Sequence, residues 1–190
     1  MTLAILILTL VTLQRLAELG LARRNTRRLL ARGAVESAAE HYPVLVGLHA
    51  AWLAGLWWWA WNRPADLGWL SVYVALQALR IWTIASLGDR WTTRIITLPG
   101  EPLVRRGPYR FFPHPNYAVV AAEIAVLPMV FHMLAYAALF SVLNASILWV
   151  RIRAEGRALR APADGEQPGV RRYRSEPPNG RSPTPPNRTG

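Results

Sequence analysis

Apolar residues in this chain fall in long blocks rather than in the short alternations of a soluble domain. Residues 2–21 form a mainly apolar run, about the length that crosses a ~30 Å hydrocarbon core as a helix. Residues 44–61 form a second run, ending in the tryptophan-rich stretch W-W-W-A-W, which reads as an interfacial belt. Residues 67–87 form a third. Residues 118–150 are apolar throughout, broken only around Pro128 to Met133, too long for one span and barely enough for two, so they read as a tight helical hairpin. The pattern predicts an all-α, polytopic integral membrane protein of about five transmembrane helices, the last two forming a hairpin.

The polar intervals complete this frame. Residues 36–43 read as a short amphipathic linker, 62–66 as a tight turn, and 88–116 as a long polar loop. From Arg151 the chain becomes charged, and residues 161–190, rich in proline, arginine and glycine, read as a disordered basic tail. Positive charge follows the first apolar run instead of preceding it, which predicts a retained anchor and not a cleaved signal peptide. The stretches 23–32, 88–116 and 151–190 hold five, five and nine arginines, against one in the turn at 62–66 and none at the hairpin tip. Five crossings bring the three rich stretches to one side, which the positive-inside rule makes cytoplasmic, with the N-terminus outside. Within the spans, Arg15 and Glu18 share a helical face and read as a snorkelling pair. For Arg80 two readings stand, snorkelling or entry into a functional cleft.

Composition narrows the chemistry. With no cysteine, disulfides, thiolate nucleophiles and iron–sulfur clusters are excluded, and no metal site is expected. All 22 basic residues are arginine, so lysine Schiff-base chemistry is excluded as well. The net charge of +11 is accounted for by topology and anionic lipid, and no nucleic-acid partner is expected. Absence of lysine and abundance of arginine and alanine suit a GC-rich bacterial genome, hence a bacterial inner membrane. Oligomeric state is left open.

Residues 105–117, R-R-G-P-Y-R-F-F-P-H-P-N-Y, concentrate the chemistry. Prolines forbid a continuous helix or strand and predict an ordered loop. Tyr109, Phe111, Phe112 and Tyr117 offer aromatic faces, and Arg105, Arg106 and Arg110 offer charge. His114 and Asn116 offer oriented hydrogen-bond groups. One reading is the wall of a polar, partly aromatic cofactor site, and the other is an interfacial loop meeting lipid headgroups. Arg151 and Glu155 share a helical face on the same side, either as a surface ion pair or as part of that site.

The pattern P-L-V-R-R-G-P-Y-R-F-F-P-H-P-N-Y, a hydrophobic hairpin, then R-x-R-x-E-x-x-x-L resembles the isoprenylcysteine carboxyl methyltransferase family and its bacterial relatives. The resemblance covers about residues 88–160, which would be the catalytic part of a membrane-embedded domain spanning 1–160. It implies an S-adenosylmethionine-dependent O-methyltransferase acting on a carboxylate or enol oxygen of a lipophilic acceptor, isoprenylcysteine-like or long-chain alkylpyrone-like. The cofactor site it implies is Glu101, Pro102, Leu103, Val104, Tyr109, His114, Pro115, Asn116, Tyr117 and Glu155. Arg151 would contact the acceptor, with His114 the one evident base. Glu123 and Asn144, polar positions inside the hairpin, are assigned to the acceptor side. The family's arginine before His-Pro is Pro113 here, which leaves Arg110 to anchor the loop, and its second glutamate after Glu155 is Gly156. Competing classes are a membrane reductase similar to sterol reductases, using NADPH, and a non-enzymatic channel or lipid-binding scaffold.

Overall fold

In the computed structural model, residues 2–37, 39, 42–99, 101–102 and 104–160 are described, except the side chains of 155 and 157–160. The tail at 161–190 lies outside the described residues.

Among the described residues, five α-helices carry the fold. Helix α1 (Leu3–Ala31) starts on the Thr2 side chain, which accepts from the Ile5 amide. It continues well past the apolar run, because arginines are good helix formers and its last turns bury Ala22, Asn25, Thr26 and Leu29. Asn25 Nδ2 donates to the carbonyls of Gly88 at 3.2 Å and Trp91 at 2.9 Å, tying α1 to the far end of the third span. Helix α2 (Tyr42–Ala60) and α3 (Leu67–Leu87) follow the second and third apolar runs closely. Asp66 caps α3 by accepting from the Trp69 amide at 3.0 Å.

Helix α4 (Pro115–Val130) and α5 (Leu134–Arg160) are the expected hairpin. Pro115 occupies the first helical position, where a missing amide hydrogen costs nothing, so Asn116 and Tyr117 belong to a helix and not to the expected loop. The hairpin turns through a Schellman motif. The amide of Met133 donates to the Pro128 carbonyl and that of His132 to Met129, while His132 takes a left-handed φ of 56°. Among the described residues, four helices are long and apolar enough to span a membrane, and α4, at 16 residues, is shorter.

Residues 36–43 are not simply a linker. Strand β1 (Val35–Ser37) pairs antiparallel with β2 (Ile95–Thr97), Glu36 opposite Ile96, forming a small two-stranded sheet beside the helices. Arg94 Nη1 grips both Glu36 carboxylate oxygens, at 2.8 and 3.0 Å, and its guanidinium lies 4.6 Å above the Tyr42 ring.

The core joins Ile7, Leu8 and Val11 of α1 to Trp52 and Leu56 of α2, Tyr73 of α3, Ile124 and Leu127 of α4, and Phe140 of α5. The outer surface is equally apolar, with Leu10, Leu13, Trp58, Ile81, Leu134 and Val142 exposed. An apolar exterior on helices of this length belongs in lipid.

Neither Arg15 nor Arg80 snorkels. Arg80 is 5% exposed, and its Nε and Nη2 donate to the two Glu18 oxygens at 2.6 Å each. Its Nη1 reaches Glu123 at 2.9 Å. Arg15 bridges the same two carboxylates at 3.0 and 2.9 Å, Gln77 donates to Glu123 at 2.8 Å, and Gln14 donates to both Gln77 and Glu18. Two arginines and two glutamates thus cancel, which is what makes them tolerable away from water. They pin α1, α3 and α4 together at one depth.

Candidate functional site

Local chemistry first shapes the loop between α3 and α4. Gly88 turns the chain with φ 55° into a 3-10 turn at Gly88–Arg90, and Trp91, 1% exposed, anchors the descent. A second 3-10 turn, Gly107–Arg110, begins at Gly107 with φ 58°, where a Cβ would collide with the Ser86 side chain. The loop is held by Arg106, whose Nε donates to the Ser86 carbonyl at 2.7 Å, and by Arg90, which donates to the Pro102 carbonyl at 2.7 Å. Glu101 is clamped between Arg32 of α1 and Arg90. The expected anchor, Arg110, is exposed beside Phe111 and Phe112, because Arg106 already spans the gap to α3.

These elements wall a cavity of about 1350 Å³. On its loop side are Glu101, Pro102, Val104, Tyr109, His114, Asn116 and Tyr117, and Arg151 of α5 closes it. The ring of His114 stacks on Tyr117 at 5.4 Å between centroids, one turn of α4 apart. Arg151 is 5% exposed, places its guanidinium carbon 5.7 Å from the Tyr117 centroid, and donates through Nη2 to the Thr93 carbonyl at 3.0 Å. Its Nε is buried without a hydrogen-bond partner among the described residues. The helical wall is Leu16 and Leu19 of α1 and Leu45, Val46 and Leu53 of α2, with Arg15 and Glu18 of α1, His49 of α2 and Arg80 of α3 among them. One end is therefore polar and aromatic, and the other apolar with a charge-balanced edge.

Most of the residues singled out in the sequence meet here. Pro115 is buried behind the lining as the first residue of α4. Glu123, wholly buried, stands behind Arg15 and Arg80 instead of on the wall. Asn144 is 1% exposed, and neither amide atom has a partner among the described residues. Leu103 and the side chain of Glu155 lie outside the described residues. Tyr42, Thr93 and His49 also line the cavity, though the sequence pattern does not single them out. A lone histidine in an apolar run was the one local signal available, since Thr93, Arg94 and Tyr42 are joined only by long-range contacts.

Comparison with known proteins points the same way. Residues 69–161 match the model described as isoprenylcysteine carboxyl methyltransferase (ICMT) family. The chain is 36% identical over 168 residues to the uncharacterized protein YpbQ of Bacillus subtilis (strain 168), covering 82% of this chain and 95% of that one. It is 26% identical over 153 residues to an uncharacterized protein of Haemophilus influenzae, covering 76% and 88% respectively. No solved structure matches it.

Proposed function

The chain belongs to the isoprenylcysteine carboxyl methyltransferase family, and from that premise we propose that it is an integral-membrane O-methyltransferase. It uses S-adenosylmethionine as donor and methylates a carboxylate or enol oxygen of a lipophilic acceptor, such as an isoprenylcysteine or a long-chain alkylpyrone. The observation that carries this reading is a cavity with an aromatic, hydrogen-bonding loop on one side and apolar spans on the other. Such a cavity suits a polar donor arriving from water and a hydrophobic acceptor arriving from lipid. By the arginine distribution, the loop face is the cytoplasmic face of a bacterial inner membrane and the N-terminus lies outside.

The residues present fit the donor. Tyr109 and Tyr117 offer faces to a planar base and to a cation, and Asn116 offers a polar side chain in the first turn of α4. When bound, S-adenosylmethionine supplies an electrophilic methyl group on a sulfonium. The chain's own work is positioning and exclusion of water. Glu101, Pro102, Leu103, Val104, Tyr109, His114, Pro115, Asn116, Tyr117 and Glu155 hold the donor, and Arg151, fixed by Thr93, offers its guanidinium to an acceptor oxygen.

Calorimetry on detergent-purified protein tests the reading. Saturable binding of S-adenosylmethionine and of its demethylated product is expected. No heat with either, together with saturable NADPH binding, would transfer the protein to the reductase class.

A further inference from the structure

Thr93 is engaged through two of its polar groups. Its carbonyl accepts from Arg151 Nη2 at 3.0 Å, and its hydroxyl lies 3.2 Å from that of Tyr42, the first residue of α2. One short residue therefore joins the start of the second span to the cavity end of α5. The turn around it is stiffened locally, since the Thr92 hydroxyl donates to the Arg94 carbonyl at 2.7 Å and so closes the chain over Thr93.

Tyr42 is held in its turn. The Arg94 guanidinium lies 4.6 Å from its ring centroid and is itself fixed by both oxygens of Glu36. Glu36 is buried at the middle of β1, opposite Ile96, so the pair is anchored in the sheet. The contacts run in series from Glu36 through Arg94, Tyr42 and Thr93 to Arg151. An arginine ends a long, freely rotating stem, and a guanidinium that must meet a reacting oxygen in one plane gains from being fixed beforehand. A hydrogen bond to a loop carbonyl fixes it only as well as the loop is fixed, and Tyr42 is what fixes this loop to α2.

We infer that Tyr42 is a positioning residue for methyl transfer, its hydroxyl setting the orientation of the Arg151 guanidinium through Thr93. The inference rests on the methyltransferase reading and on the part Arg151 has in it. Tyr42 also lines the cavity, so direct contact with the acceptor is one rival role, and simply tying α2 to the sheet is another. The three roles differ in one consequence. A hydroxyl that acts through Arg151 has no effect on turnover once that guanidinium is gone, whereas a hydroxyl that touches the acceptor or holds the fold acts with or without it.

Transfer of labelled methyl to an alkylpyrone and to a farnesylated cysteine analogue gives the measurement, with donor affinity measured in parallel. Tyr42→Phe keeps the ring against Arg94 and removes only the hydroxyl. On whichever acceptor the parent methylates, its kcat should fall about 5–10-fold, the worth of one hydrogen bond, with donor affinity within about twofold. Thr93→Val removes the other hydroxyl and should do the same, and the two together should do no more than either alone. In an Arg151→Ala background, Tyr42→Phe should change turnover by less than about twofold. An equal loss in both backgrounds would overturn the inference. So would full turnover of Tyr42→Phe, or an Arg151→Ala protein as fast as the parent, which leaves nothing to position. Failure of both Tyr42→Phe and Thr93→Val to fold would overturn it too, by making the hydroxyl pair structural. A parent that binds no donor, or binds it and transfers to neither acceptor, overturns the proposed methyltransferase reading instead, and that is seen before any variant is made.

Discussion

Arg151 is held on two sides, by the Thr93 carbonyl and by the face of Tyr117, while one of its nitrogens stays unsatisfied. If the guanidinium of Arg151 orients the acceptor, Arg151→Ala should lower turnover by about 10²-fold or more with little change in donor affinity, because the lost contact acts on the reacting pair. Arg151→Lys should recover only part of the rate, since an ammonium lacks the planar fork. Parallel measurement of labelled methyl transfer and donor binding checks both, and full activity of the lysine variant would remove the role. Glu123 poses the opposite case, a residue whose importance is to the fold. Its loss would leave Arg15 and Arg80 sharing one carboxylate, and Glu123→Ala should destabilise by about 3–5 kcal/mol in denaturant titrations in detergent. The sequence displayed the two arginines and two glutamates, and their equal number was a clue to pairing. Their common depth could not be read, because it depends on how three helices are offset against one another.

At the scale of elements, lipid made the spans legible: a helix crossing hydrocarbon needs a fixed length of apolar residues, so 67–87 emerged with its observed ends. The hairpin break at Pro128 to Met133 was legible for the same reason. The strands were not, because three-residue segments such as Val35–Ser37 gain their order only from a partner some 60 residues away. Within the hairpin, His132 occupies a left-handed position that favours glycine. His132→Gly should raise the unfolding free energy by about 0.5–1 kcal/mol, seen as a higher melting temperature in detergent with the helical content unchanged. A lower melting temperature would mean that the imidazole contributes more than its backbone costs.

Across the whole molecule, the helix ends opposite the loop share one level. Thr2 Oγ1 donates to the Trp61 carbonyl at 2.9 Å, and the Asp66 amide donates to the Val130 carbonyl at 2.8 Å. Measured from there, α3 with 21 residues rises about 31 Å and α4 with 16 residues about 24 Å. The whole shortfall of α4 falls at the arginine-rich end, so Asn116 and Tyr117 lie about 7 Å below the top of α3. In a bilayer whose surface meets that end of α3, the loop chemistry would occupy a sunken well with a rim shared between protein and headgroups, and the bilayer surface would form part of the enclosure. Thickness then becomes a control: in vesicles of increasing acyl length the well deepens, and turnover of a lipid-dissolved acceptor should pass through an optimum while donor affinity in detergent stays constant. Turnover that ignores acyl length would show that the protein closes the well without help. An enzyme built this way would be tuned by the lipid composition of its host membrane, with no regulatory ligand at all.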